Sequence, residues 1–180
     1  MGRKNFVRDM VQVGLFVAVI AVCAQISVPL AGGVPFTLQT FAIALTGLIL
    51  GWKKGLVTVL IYILVGAVGV PVFAQFMGGL GVLFGPTGGF ILAFPLLSLA
   101  AGLAGRKNNP LVWAVVITVA TGFMLFIGGV FFAIYQNTTL AHALTVTVSP
   151  FIISSIIQIG LVVAAGKVLR HAIVKSGISI

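Results

Sequence analysis

Ten basic residues of this chain fall into four short clusters, and the long stretches between the clusters contain no Asp, Glu, Lys or Arg. The uncharged stretches run 10–52, 55–105 and 108–166. Each is long enough to cross a bilayer, turn and return, because one helical crossing needs about 20 apolar residues. The pattern predicts an all-α membrane protein with six transmembrane helices. The clusters are Arg3/Lys4/Arg8, Lys53/Lys54, Arg106/Lys107 and Lys167/Arg170/Lys175.

The spacing of the clusters also predicts the orientation of the chain. Lys and Arg in short loops concentrate on the cytoplasmic side of a membrane, so all four clusters and both termini are predicted to be cytoplasmic. The chain is 61% hydrophobic and 6% charged, which does not suit a soluble domain. Anionic lipid accounts for the net charge of +9 without nucleic acid. We expect a single transmembrane domain over 1–180.

The predicted helices differ in the connections that join them. The turns at 51–55 and 105–110 are short, so the helices on either side of each turn should be antiparallel neighbours. The connections on the other side hold most of the Gly, Pro and amide residues, and irregular backbone at membrane depth requires burial or a cavity. We therefore expect the functional surface on the outer side. The predicted helices cover about 9–28, 37–51, 55–70, 87–105, 111–134 and 148–168.

The segment 69–89 has the most distinctive composition of these outer connections. It contains seven glycines, three aromatic residues and no charge. Glycine lets backbone approach a ligand closely, and aromatic rings offer faces to a flat or apolar molecule. One interpretation is a lid over a pocket, with Phe73, Gln75 and Gly79 as candidate substrate-binding residues. The other is a re-entrant linker whose glycines only relieve crowding.

Three further positions are candidates for polar contacts with a ligand. Thr87 is a predicted N-cap, and the amides that follow it, from Gly88 onward, can hold a carboxylate, although simple capping explains the threonine too. Gln39 begins a helix and needs a partner if it is buried, either in a pocket or in a supporting contact. His142 is the one titratable cation candidate on the outer side, either at a ligand or solvated.

Three segments together resemble a known family. Ala24-Gln25-Ile26-Ser27, Val34-Pro35-Phe36-Thr37-Leu38-Gln39-Thr40 and the run from Pro71 to Gly89 are similar to the biotin-transporter S components of energy-coupling-factor (ECF) transporters. The resemblance implies a substrate-binding subunit in a prokaryotic plasma membrane, with a vitamin pocket open to the outside. It also implies docking on a transmembrane coupling subunit driven by two ATP-binding cassette ATPases.

The resemblance further implies a docking motif of small residues on the first helix. Gly14 and Ala18 have the small-xxx-small spacing that allows close approach of another helix. They are candidates for contact with the coupling subunit, and packing within this chain is the alternative. The sequence has no phosphate-binding loop, no Cys/His cluster and a single carboxylate, Asp9, which we expect to pair with Arg8. We predict no catalytic residue, metal or cofactor, and therefore no enzyme.

The start of the last helix departs from the family pattern. Biotin transporters of this type read approximately Pro-Phe-x-Pro-Gly-Asp-x-x-Lys, and here Ser155 and Gln158 replace the acid and the base. The two side chains still share a helix face, but charge-assisted hydrogen bonds are lost. Biotin bound by neutral hydrogen bonds from Ser155, Gln158 and Gln75 is one explanation. Lipoate, with an apolar dithiolane ring, is the other, and these two positions favour lipoate or a similar acid.

Two other classes of protein fit an uncharged, glycine-rich helical membrane chain. An autonomous facilitator or channel would move a small molecule without ATPase partners. A membrane scaffold would bind no small molecule. Ligand binding separates the scaffold from both transport functions.

Overall fold

The computed structural model describes residues 3–29 and 33–175, and side chains at 6–29, 33–173 and 175. Helices dominate this part of the chain, which confirms the predicted all-helical class. Two two-residue strands, β1 (Ser27–Val28) and β2 (Phe36–Thr37), form a small antiparallel pair. The helices are α1 (Arg3–Gln25), α2 (Gln39–Ala67), α3 (Leu80–Leu83), α4 (Gly88–Ala104), α5 (Pro110–Tyr135), α6 (Leu140–Thr147) and α7 (Phe151–Lys175).

Four of these helices are long and apolar enough to cross a membrane. They are α1, α2, α5 and α7, judged on the described residues by length and composition. Helix α4 is apolar but shorter, with 17 residues. Helices α4 and α5 begin and end within a few residues of the predicted bounds. Helix α1 ends three residues before the predicted end at residue 28, because the chain enters β1.

Helix α2 is a hairpin of two antiparallel halves. Gly51 has φ 77° and ψ 171°, so the chain reverses there, in a backbone region that favours glycine. A straight helix would separate Gln39 and Tyr62 by about 35 Å, yet their side chains form a 2.6 Å hydrogen bond. The predicted helices 37–51 and 55–70 are therefore the two halves. The predicted antiparallel neighbours are confirmed, but the turn is shorter than the predicted 51–55, because Gly51 alone makes the reversal and helix resumes at Trp52.

Helix α4 packs into the cleft of the α2 hairpin through backbone contacts at glycines. A Cβ at Gly47 would clash with the backbone of Ser98, and one at Gly102 would clash with the backbone of Trp52. Gly55 faces Gly47 across the hairpin, where an added Cβ would lie 2.8 Å from the Gly47 Cα. Small residues allow such close helix contacts in membrane proteins. This packing fixes the start of α4 beside the start of α2.

Helix α1 lies at the edge of the bundle, and of its described side chains only Ile20 and Ala24 are fully buried. Near its start, the Asp9 Oδ1 lies 2.7 Å from the Lys54 Nζ and 4.0 Å from the Arg8 Nε. The predicted local pair with Arg8 is thus the longer of two contacts. The shorter contact joins α1 to the second half of α2. It was not predicted, because Asp9 and Lys54 lie far apart in the sequence.

The connections predicted as irregular contain more secondary structure than expected. The segment 71–86 includes a 3-10 turn at Ala74–Phe76 and the short helix α3. The connection 135–147 contains α6, whose Thr139 side chain accepts a hydrogen bond from the His142 amide. Residues 30–32 of the predicted connection 29–35 lie outside the described residues. The short helices let the backbone groups of these connections form hydrogen bonds with one another.

Candidate functional site

A cavity of about 160 Å³ lies at the end of the bundle where α2, α4 and α7 begin, which we call the pocket end. The segment 73–87 covers it, and side chains of α5 also line it. Most of the residues that line it are apolar, as is usual for small-molecule pockets. The polar side chains in the lining are those of Thr37, Gln39, Thr40, Gln75, Thr87, Ser155 and Gln158.

Helix α7 presents one face to this cavity. Phe151, Ser155 and Gln158 all line it and are spaced four and three residues apart, so they fall on one side of the helix. Gln158 is 5% exposed. Its Oε1 accepts a hydrogen bond from the Phe41 amide at 2.9 Å, and its Nε2 donates to the Thr37 carbonyl at 3.1 Å. Gln158 therefore lines the cavity and also ties α7 to the start of α2.

Gln39 both lines the cavity and makes a supporting contact, the two alternatives that its sequence position left open. Its side chain lines the cavity and is buried, and its Nε2 donates to the Tyr62 hydroxyl at 2.6 Å. The Tyr62 hydroxyl donates in turn to the Val72 carbonyl at 2.9 Å. The Tyr62 ring meets Phe73 edge-to-face, with ring centroids 5.6 Å apart. This chain of contacts places Phe73, which is 1% exposed, against the cavity.

The tight loop 72–77 is held by the last residue of α1. The Gln25 Nε2 donates to the Phe73 carbonyl at 3.1 Å and approaches the Val72 carbonyl at 3.4 Å. Its Oε1 accepts from the Phe76 amide at 2.8 Å. Gln75 and Phe76 both have positive φ, 59° and 56°, which costs free energy for residues other than glycine. Gln25 thus stabilises a strained loop that covers the cavity.

Replacing Gln25 with leucine is expected to loosen this loop. The side chain keeps its size but loses both hydrogen-bonding groups, and each net hydrogen bond contributes about 1 kcal/mol. Amide hydrogen exchange over 72–77 should become at least about tenfold faster, since local opening becomes easier. Gln136→Leu is the matched control, because Gln136 is exposed at the end of α5. Unchanged exchange in Gln25→Leu would show that Gln25 does not hold the loop.

The structure brings six of the eight predicted substrate-binding residues to one cavity. These are Gln39, Phe73, Gln75, Thr87, Ser155 and Gln158. Their part in binding stays a prediction.

Gly79 and Gly88 lie outside the lining and serve the packing of the loop. Gly79 has φ 95° and donates to the Gly66 carbonyl at 2.7 Å. A Cβ at Gly88 would clash with the Leu83 carbonyl. At Gly88 the alternative, that glycine relieves crowding, describes the structure. At Gly79 an added Cβ would meet nothing within 4 Å, so the positive φ is what favours glycine there. Gly81 and Gly85 line the cavity.

The predicted cap at Thr87 was wrong in its detail. Thr87 precedes α4, but its hydroxyl makes no capping hydrogen bond because its backbone is already helical, with φ −92° and ψ −8°. The Gly88 amide donates to the Gly85 carbonyl at 3.0 Å. His142 is exposed on α6 and is not among the cavity-lining residues.

Several lining residues were missed in the sequence. Phe151 precedes Ser155 by one helical turn, so the spacing that linked 155 to 158 also predicts it. Phe94 was missed too, although it lies one helical turn after Phe90, whose ring the sequence did offer as a candidate contact. Met124 and Leu125 of α5 carry no sequence signal, because nothing distinguishes them from lipid-facing residues of that helix. The four missed residues and Phe90 line the cavity.

The described cavity lining contains no Asp, Glu, Lys, Arg or His. Hydroxyl and amide groups are therefore the only side-chain hydrogen-bonding partners that it offers. Apolar rings and methyl groups provide the remaining surface, which suits a molecule with an aliphatic or flat apolar part. Such a lining can bind and orient a ligand. It contains no acid, base or nucleophile pair for catalysis.

The fold and cavity define a helical membrane protein with a small-molecule pocket. A family model described as the BioY family matches residues 1–175. The chain belongs to the BioY family. The resemblance noted in the sequence is therefore confirmed.

Named relatives cover nearly the whole chain. A biotin transporter BioY of Thermotoga maritima is 41% identical over 91% of this chain and 95% of its own length. A probable biotin transporter BioY of Pyrococcus horikoshii is 43% identical over 81% and 86%. Because the named relatives are transporters, the prediction that this chain is not an enzyme is confirmed.

A solved structure has the same fold. It is described as the S-component for biotin from an ECF-type ABC transporter, and it matches with a TM-score of 0.88 over 95% of both chains. The two sequences are 23% identical.

Proposed function

We propose that this chain is the substrate-capture subunit of an ECF-type vitamin uptake transporter and that its ligand is biotin. The observation that carries the proposal is the cavity at the pocket end, in a chain of the BioY family. Relatives at 41% and 43% identity are named biotin transporters. They outweigh the preference for lipoate that two positions suggested.

Lipoate is the second candidate ligand, and the uncharged cavity lining favours it. Biotin carries a polar ureido ring, which here meets only neutral groups such as Ser155 and Gln158. Both groups of the Gln158 amide are already bonded within the protein. The dithiolane of lipoate needs no such partners. Both acids share an aliphatic carboxylate tail, for which the start of α4 at Thr87 is the proposed binding site.

We propose six membrane crossings, formed by α1, the two halves of α2, α4, α5 and α7. The geometry of the α2 hairpin supports this count. The cavity lies at one end of these segments, and Lys54, Lys107 and Arg170 lie at the other. The positive-inside rule then places the basic end and both termini in the cytoplasm and the cavity towards the outside. Residues 1–180 would form one substrate-binding domain in a prokaryotic plasma membrane.

The proposed docking surface for the coupling subunit is on α1. Gly14 and Ala18 are both exposed, and a Cβ at Gly14 would meet no described atom within 4 Å. This surface is therefore not used for packing within the described part of the chain. A close helix contact through small residues fits it. Two ATP-binding cassette ATPases would supply the energy, since the sequence contains no phosphate-binding loop.

Uptake into proteoliposomes tests this division of roles. We expect no accumulation of radiolabelled biotin with the chain alone, and ATP-dependent accumulation when a coupling subunit and its ATPases are added. Gly14→Leu should abolish accumulation without weakening biotin binding. Gly122→Leu is the control, because Gly122 also has open space around it. Accumulation by the chain alone would instead show an autonomous facilitator, and absence of any binding would favour the scaffold.

A further inference from the structure

A second cavity, of about 370 Å³, lies at the basic end of the bundle. Ser155 lines the cavity at the pocket end, and Arg170 lines this second cavity. Both residues are on α7, about 22 Å apart along the helix axis at 1.5 Å per residue. The two cavities are therefore separate sites. The second is lined by Asn108, Pro110, Trp113, Lys167, Arg170 and His171.

No Asp or Glu side chain of the described protein neutralises the positive charge of this second cavity. Lys167 and Arg170 are cationic, and His171 lines the cavity beside them. Asp9, the only Asp or Glu of the sequence, is engaged by Lys54, with 2.7 Å between the Asp9 Oδ1 and the Lys54 Nζ. Neighbouring cations without a carboxylate create a positive potential that attracts an anion. The cavity is therefore suited to an anionic group.

Arg170 is held in place for such a group. Its guanidinium carbon lies 5.2 Å from the centroid of the Trp113 ring, a cation–π geometry. Trp113 is 1% exposed, and its Nε1 donates to the Lys107 carbonyl at 2.6 Å. A guanidinium fixed on an aromatic ring presents its remaining donors in a planar fork that matches phosphate.

The surface beside this cavity is apolar. Leu111 and Val168 each follow a cavity-lining residue in the sequence, and they are 71% and 69% exposed. In a membrane protein, such side chains contact acyl chains. A molecule with an anionic head and apolar tails satisfies both surfaces at once. Basic pockets between membrane helices bind lipid headgroups in this way.

We propose that this cavity binds the phosphate headgroup of an anionic phospholipid, with Arg170 and Lys167 contacting the phosphate. The site does not depend on the identity of the vitamin. A bound lipid would bridge α5 and α7, which supply the cavity-lining residues from Pro110 to His171.

Thermal melting of the purified chain in mixed micelles tests the site. Phosphatidylglycerol should raise the melting temperature above that in an equal mole fraction of phosphatidylcholine. Lys167→Gln removes an exposed charge, and the apparent affinity for phosphatidylglycerol should fall about tenfold. Lys175→Gln is the matched control, because it removes the same charge from the same helix outside the cavity lining and should leave the affinity unchanged.

Four results would overturn the proposal. Equal effects of the two lipids would show that the headgroup charge is not recognised. Equal losses in Lys167→Gln and Lys175→Gln would show general surface attraction without a site. Full replacement of the phosphatidylglycerol effect by millimolar inorganic phosphate would assign the cavity to free phosphate. Loss of coupling-subunit binding in Lys167→Gln, without any lipid effect, would assign it to a protein contact.

Discussion

Replacing Ser155 with phenylalanine is expected to abolish ligand binding. Ser155 lines a cavity of only about 160 Å³, and a phenyl ring at that position would occupy space that the ligand needs. Affinity for biotin or lipoate should fall by at least about 100-fold, which corresponds to about 2.8 kcal/mol. Binding is measured by calorimetric titration of the purified variant. The protein itself should remain folded, because the ring would enter existing space.

Ile156→Phe is the matched control for this substitution. Ile156 is the next residue on α7 and is 67% exposed, so a larger side chain there meets the surroundings of the protein. It should bind ligand as the native chain does. If Ser155→Phe also bound ligand with native affinity while eluting as a single folded species, the ligand site would lie elsewhere.

Replacing Gly47 with valine is expected to disrupt the bundle. A Cβ at this position would clash with the Ser98 carbonyl, which is backbone of the neighbouring helix and cannot rotate away as a side chain can. Overpacking costs about 1–3 kcal/mol, and more where backbone must move. We expect a loss of at least about 3 kcal/mol, seen as a large fall in melting temperature or as aggregation during purification.

Gly122→Val is the control for the glycine contact. Both residues are helical glycines, but a Cβ at Gly122 of α5 meets nothing within 4 Å. Its melting temperature should stay close to that of the native chain. Equal destabilisation by both substitutions would mean that valine in a helix, and not contact between α2 and α4, explains the loss.

The all-helical class and the positions of the long helices were predictable because they depend on charge spacing and apolar length. Uncharged stretches bounded by basic clusters predicted every long helix, including both halves of α2. The turn at Gly51 was not predictable in detail, since only tertiary packing shows that one residue reverses the chain. The same holds for α3 and α6, whose short helical turns satisfy backbone groups at the bundle surface.

The cavity was partly predictable from local motifs. Polar residues stand out in apolar sequence, so Gln39, Ser155 and Gln158 were found. Met124 and Leu125 were not, because their placement depends on which face of α5 turns inward. At Thr87 and Gly88 the sequence predicted features that the structure does not have. The motif suggested a side-chain cap at Thr87 and a ligand-facing amide at Gly88, but the helical backbone of Thr87 removes the cap, and the Gly88 amide donates to the Gly85 carbonyl. Thr87 still lines the cavity, so its contact with a carboxylate stays a prediction.

The most direct test of the proposed function is a melting titration of the purified chain with biotin and lipoate side by side. A ligand that binds only the folded protein stabilises it by about 2.7 kcal/mol at 100 times its dissociation constant. We expect biotin to raise the melting temperature in a concentration-dependent way, and Ser155→Phe to remove that rise. A shift with lipoate alone would transfer the site to the second candidate. No shift with either acid at millimolar concentration would contradict a vitamin-binding subunit.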